Sequence, residues 1–173
     1  MQTLFVLDKK DYTESMPVLE RYAVRALIKR DSLWAMQKSS AGYYKIPGGG
    51  VEEGETYQEA LLREVQGETG LIVVEDSITE IGEILEMRED SYQKGTKYIS
   101  HSFCYFCDVK EEMTQTAMSE NEQARGYLLE WTDLDHVIAC NEKLLTEEWM
   151  KRDTLFLKWL KENGRVCKCV YGY

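Results

Sequence analysis

The chain has 173 residues, 43% of them hydrophobic, enough to bury one sizeable core and within the usual range of a single domain, 1–173. Its 21 Lys and Arg stand against 31 Asp and Glu, a net charge of −10, the reverse of the basic surface that neutralises a nucleic-acid backbone or an anionic bilayer. Polymeric nucleic acid is excluded as an expected partner, and a small phosphorylated substrate would need a cation to bridge it to so acidic a protein.

The first residues, Met1 to Asp8, lack the basic start and long apolar run of a secretory leader. No apolar stretch approaches membrane-spanning length, so no membrane contact and a cytoplasmic location are expected. Strand-like runs rich in β-branched and aromatic residues follow at 21–29 and 33–37. Lys38 and Lys45 then flank the route into Pro47-Gly48-Gly49-Gly50, where they stand as candidate phosphate contacts; solvated lysines are the plainer alternative. A helix is expected at 56–69, strands at 78–87, 97–109 and 126–131, and helices at 134–140 and 146–162. In the last helix Trp149, Leu155, Phe156, Trp159 and Leu160 form an apolar face. Strands around one central helix, closed by a C-terminal helix, predict an α/β (α+β) fold in which a mixed β-sheet is flanked by helices.

Five cysteines, an odd number in a chain too long to depend on disulfide staples, point to free thiols. Cys104 and Cys107 have the spacing of a metal clip but lie in a strand-like run, where residues three apart face opposite ways. Cys167 and Cys169 lack the usual paired spacing, so a zinc site is set aside. His101 and His136 are isolated and read as structural, and Tyr43, Tyr44, Tyr98 and Trp131 suit either base stacking or packing.

The chemistry concentrates between Gly48 and Leu71. Three successive glycines permit backbone conformations and close ligand approach that side chains would block. Thr56 with Glu59 has the capping-box spacing, and Gly70 is a natural helix stop. On the helix so bounded, Leu61, Leu62 and Val65 take one side, while Glu64 and Glu68 project together from another. Like charges at that spacing cost an isolated helix roughly 0.2–0.5 kcal/mol. A hard divalent cation between them would reverse the sign; a solvated helix face is the bland alternative.

The whole pattern decides between these. Gly49, Glu55, Arg63, Glu64, Val65, Glu68, Gly70 and Leu71 all stand at the spacing of the Nudix box: Gly, five residues, Glu, seven residues, Arg-Glu-aliphatic, one residue, Glu-Glu, one residue, Gly-aliphatic. The segment resembles that box at every position but one, where Gly67 replaces a glutamate. The resemblance implies a Nudix-type α/β/α sandwich and metal-dependent hydrolysis of a nucleoside diphosphate linked to another group, with Mg2+ or Mn2+ as cofactor. It implies Glu64 as metal ligand and base, Glu68 as second ligand, the Gly48 carbonyl as a further ligand, and Arg63 orienting Glu64. It also implies Gly49 against substrate, and Glu55 and Gly70 as structural members of the box. The partner is then a small nucleotide or nucleotide conjugate, and many relatives form homodimers.

Gly67 removes one carboxylate of the usual cluster. Glu122 or Glu120, read as lying in a loop before the last strand, is a candidate compensation, with a catalytic role for Glu122; solvated loop charges are the equal alternative. The glycine itself either tolerates a fraying helix end or answers a steric need. The proline and tyrosine that mark the ADP-ribose and dinucleoside-polyphosphate subclasses downstream of the box are both missing, which leaves a nucleoside triphosphate or another conjugate open. The rival expectation is a catalytically weakened Nudix domain that binds a nucleotide as a sensor or regulator.

Overall fold

The computed structural model describes residues 1–163, so Cys167 and Cys169 lie outside the described residues. The chain opens with β1 (Thr3–Asp8) and β2 (Val18–Leu27), followed by β3 (Lys29–Arg30), β4 (Leu33–Lys38) and β5 (Tyr44–Lys45). Helix α1 (Tyr57–Thr69) leads through β6 (Leu71–Val73) and a 3-10 turn at Glu75–Ser77 into β7 (Thr79–Glu89), β8 (Lys97–Phe106) and β9 (Val109–Met113). Then come α2 (Glu120–Arg125), β10 (Leu128–Thr132), α3 (Leu134–Glu142) and α4 (Glu148–Asn163). These fall into two compact units, Met1–Lys29 with Pro47–Met118, and Arg30–Ile46 with the chain from Ser119 onward.

In the first unit a four-stranded sheet has the order β1-β7-β8-β2. It is mixed, as expected: β1 runs parallel to β7, β2 parallel to β8, and β7 antiparallel to β8. Helix α1 packs on β2 and β6, and Val24, Leu27, Leu61, Val65, Ile84 and Cys104 are all buried. The feature that positions the site is the free edge of β2. There the Val24 N–H donates to the Gly49 carbonyl (2.9 Å), the Ala26 N–H to the Pro47 carbonyl (2.8 Å), and the Val51 N–H to the Tyr22 carbonyl (3.0 Å). The glycine segment thus runs along β2 as an irregular extra strand, with Ala23 and Gly50 in antiparallel register.

In the second unit β4 pairs antiparallel with β10 and β5, while α3 packs on α4. Asn141 fixes β5, accepting from the Tyr44 N–H (2.7 Å) and donating to the Tyr44 carbonyl (3.0 Å). The Tyr44 ring is fully buried and its hydroxyl donates to Glu130 (2.6 Å), which makes it core and removes it from the stacking candidates.

Five elements were not anticipated: β1, β5, β6, β9 and α2. The run expected as one strand over 97–109 ends at Phe106, and the chain restarts as β9 paired with β6. Cys104 and Cys107 are separate buried free thiols, and burial pushes the Cys107 thiol up to about 12, which leaves it inert. Among the described residues no helix is long and apolar enough to cross a membrane.

Candidate active site

Helix α1 is bounded as its sequence predicts. Thr56 Oγ1 accepts from the Glu59 N–H (3.2 Å), Glu59 Oε2 accepts from the Thr56 N–H (2.8 Å), and Gly70 closes the helix in the left-handed region at φ 74°. The glycine loop lies on one side of this helix, held by an arginine.

Arg63 is the hub. Its Nε and Nη2 form a two-pronged pair with Glu55 (2.7 and 2.8 Å), Nη2 also reaches the Gly50 carbonyl (2.9 Å), and Nη1 donates to Glu64 Oε1 (2.8 Å). One planar guanidinium therefore fixes the loop, the structural carboxylate and the candidate base together, a geometry a lysine would not reproduce. Glu55 answers strongly: the Arg63 guanidinium, helped by the Glu52 N–H, holds its carboxyl at about 2, well below the ordinary 4.5. Because the carboxyl is depressed in the folded state, its stabilisation is complete above pH 4.5 and is lost as pH falls toward 2. Glu55→Gln should accordingly flatten the acid side of the stability profile between those two values, read from urea midpoints at a series of pH values. An unchanged slope would mean the pair does not form.

Neither box carboxylate sits on a solvated face. Glu68 is 2% exposed and shares the buried side of α1 with Leu61 and Val65, which corrects the expectation that it projects with Glu64 away from the apolar residues. It is tolerated there because its Oε2 accepts the Gly48 N–H at 2.7 Å. Glu64 fills the notch left by Gly49: a Cβ at that residue would lie 2.4–2.5 Å from the Glu64 carboxylate. Gly48 is equally constrained, at φ 134° with a would-be Cβ only 2.1 Å from the Val24 carbonyl oxygen. Consecutive glycines thus meet the two carboxylates, Gly48 against Glu68 and Gly49 against Glu64.

These donors suit a hard divalent cation, with carboxylate and carbonyl oxygens and no soft ligand among them. Among the described residues no group of three or more His, Cys, Asp or Glu is placed to hold a metal ion. A set of two carboxylates is the pattern Mg2+ accepts when waters and substrate phosphates complete its shell.

Gly67 has a plain structural reading. The helix runs through it to Thr69, and among the described residues a Cβ there would meet only the Ala117 carbonyl oxygen, at 3.8 Å. Neither a frayed end nor crowding explains the glycine.

Lys38, Lys45, Glu120 and Glu122 belong to the second unit. Lys38 pairs with Glu130 (2.9 Å) and Lys45 with Glu122 (3.5 Å). Glu122 is also the third helical residue of α2, where it accepts the Ser119 N–H (2.9 Å) and hydroxyl (2.8 Å) in a second capping box. The segment expected as a loop is therefore helical. The Ser119-x-x-Glu122 spacing, identical to Thr56-x-x-Glu59, was the signal for it. Of the stacking candidates, Tyr98 lies under the Arg88 guanidinium, Trp131 under that of Arg30, and Tyr43 edge-on to Trp149. Reasoning from sequence also missed Arg21, whose place beside Gly50 depends on the non-local pairing of β2 with the loop.

A family model described as the NUDIX domain matches residues 19–160, most of the chain and parts of both units. The chain belongs to the Nudix family. Among curated Nudix proteins, the uncharacterized Nudix hydrolase YvcI of Bacillus subtilis (strain 168) is 25% identical over 122 residues, 70% of this chain and 71% of the relative. Among solved structures, a NUDIX hydrolase from Nitrosomonas europaea superposes with a TM-score of 0.59 at 18% identity, covering 83% of this chain and 90% of the other, a likeness of fold. Nudix membership places the chain among hydrolases.

Proposed function

We propose that the chain, as one Nudix domain, hydrolyses the phosphoric anhydride of a nucleoside diphosphate linked to a further group, with Mg2+ or Mn2+ at the box carboxylates. The observation that carries this reading is the meeting of Gly48 with Glu68 and of Gly49 with Glu64, locked by Arg63. Glu64, Glu68 and the Gly48 carbonyl would hold the cation. Such a cation neutralises phosphate charge and lowers the pKa of a bound water.

The rest is done by the chain's own groups. Arg63 aims the Glu64 carboxylate, and Glu55 anchors Arg63 so that the aim is kept. Glu64 takes the proton of the attacking water, a general-base step worth about 10²–10⁴ in rate. Gly49, lacking a side chain, leaves the space in which this carboxylate sits. From its place in the sequence Glu122 is the candidate third carboxylate in place of residue 67; within its own unit it holds Ser119 and Lys45. Lys38 and Lys45 are the candidate phosphate contacts on the same sequence ground; within their own unit they pair with Glu130 and Glu122. The substrate is a small nucleotide or conjugate, in line with a net charge of −10 that repels polymeric nucleic acid.

The test incubates purified protein with a panel of nucleoside triphosphates and nucleotide conjugates, with Mg2+ or Mn2+, and measures phosphate release. Turnover that disappears on chelation of the metal is the expected result. Tight binding without turnover across the panel would instead favour a nucleotide sensor.

Gly67 is the observation behind that second reading, since it thins the donor set without a packing reason. Gly67→Glu has room, and removing a helical glycine should raise stability by about 0.5–1 kcal/mol. Melting should move up by about 2–3 °C, and calorimetry should find tighter Mn2+ binding. A large gain in rate in this variant would mark the native chain as built for binding. A lower melting temperature would contradict the open space described at Gly67.

A further inference from the structure

Arg21 lies on β2, exposed, two residues before Ala23, whose antiparallel partner is Gly50. Residues two apart on a strand share a face, and paired residues of neighbouring strands do too. Arg21 is thereby directed to the side on which Gly50 would carry a side chain. Its Nη2 lies 3.7 Å and its Nε 3.9 Å from the position of a Gly50 Cβ, so the guanidinium lies alongside the loop at Gly50, at ordinary van der Waals distance from where a side chain would begin. The three glycines are then flanked in order by Glu68, Glu64 and Arg21, two acids and one base along a single bend.

The charge on Arg21 is not spent on the protein. Arg63, Arg88, Arg125 and Arg152 each hold a carboxylate at 2.7–3.1 Å. Arg21 forms no ion pair among the described residues, although the chain offers 31 Asp and Glu against 21 Lys and Arg. An unpaired cation open to solvent, at the glycine next along the chain from the one that meets Glu64, has an evident counterpart. A diphosphate presents charge on both phosphorus centres, and carboxylates can reach one of them only through a cation. The planar fork of a guanidinium suits the other directly.

Resting on the diphosphate-hydrolase reading above, we propose that Arg21 is a substrate-binding residue that grips the phosphate group not held by the carboxylate-bound cation.

The test uses imidodiphosphate, a non-hydrolysable bare diphosphate, titrated with Mn2+ present into the whole protein and into Arg21→Gln, Arg21→Lys and Glu64→Gln by calorimetry. Losing a charge-assisted phosphate contact should weaken binding about 10- to 100-fold in Arg21→Gln. Arg21→Lys should recover part of that loss, because it keeps the charge without the fork. In turnover of whichever nucleotide the panel identifies, the loss should be carried mainly by KM. Unchanged affinity in Arg21→Gln, or Arg21→Lys as weak as Arg21→Gln, overturns the role of Arg21 while leaving the hydrolase reading intact. If the unaltered protein binds no imidodiphosphate with Mn2+, the diphosphate reading fails and this inference with it. Melting curves of the exposed-site variants separate lost binding from lost folding.

Discussion

Glu64→Gln should lower turnover by about a thousandfold while the protein remains folded. Glutamine has nearly the same shape, so the notch at Gly49 stays filled, but it can neither take a proton nor carry the charge that a divalent cation requires. Arg63 loses one contact of 2.8 Å and keeps three, two on Glu55 and one on the Gly50 carbonyl. The half-exposed pair it gives up is worth at most about 1 kcal/mol, so melting should shift by only about 2–4 °C. Steady-state kinetics with Mn2+ beside thermal melting decide the matter: a residual rate above about a tenth of the unaltered enzyme would place the chemistry elsewhere.

The second large effect is on stability. Gly48→Ala asks for a methyl group 2.1 Å from the Val24 carbonyl oxygen and 2.9 Å from the Val24 carbonyl carbon, at a φ of 134°. Both obstructing atoms are backbone of β2, and moving them means breaking the Val24 and Ala26 hydrogen bonds to the loop. Backbone strain of about 1–3 kcal/mol adds to overpacking of about 1–3 kcal/mol. The melting temperature should fall by roughly 10 °C, with Glu68 released from the Gly48 N–H. Urea unfolding within about 0.5 kcal/mol of the unaltered protein would show that the loop does not lie along β2 as described.

What could be read from the sequence was whatever is encoded by neighbours along the chain. The Thr56-x-x-Glu59 box and Gly70 fix both ends of α1, and box spacing identified Arg63, Glu64 and Glu68 before any contact was known. The same local rule applied to Ser119-x-x-Glu122 would have turned an expected loop into α2. Segments whose strand character comes from their partners stayed hidden: β9 is Val-Lys-Glu-Glu-Met, polar and mostly exposed, and is a strand only because β6 is three residues of matching edge. The surroundings of Lys38, Lys45 and Arg21 are set by pairings across 92, 77 and, for Ala23 with Gly50, 27 positions. The burial of Glu68 was likewise invisible, because the group that makes it tolerable is a backbone N–H twenty residues away.

One further detail concerns how α1 is finished. Beyond β9 the chain runs on in the same direction past β6, so that the Thr114 N–H donates to the Gly70 carbonyl (2.8 Å) and the Ala117 N–H to the Gly67 carbonyl (2.7 Å). Helix carbonyls that would otherwise turn to water are thereby clamped by a strap. The beam that carries the acids is anchored at its far end as well as at Thr56, so twisting it about its long axis is resisted by residues other than those of the site. Cutting or lengthening the strap would loosen the aim of Glu68 without touching any residue that meets a ligand.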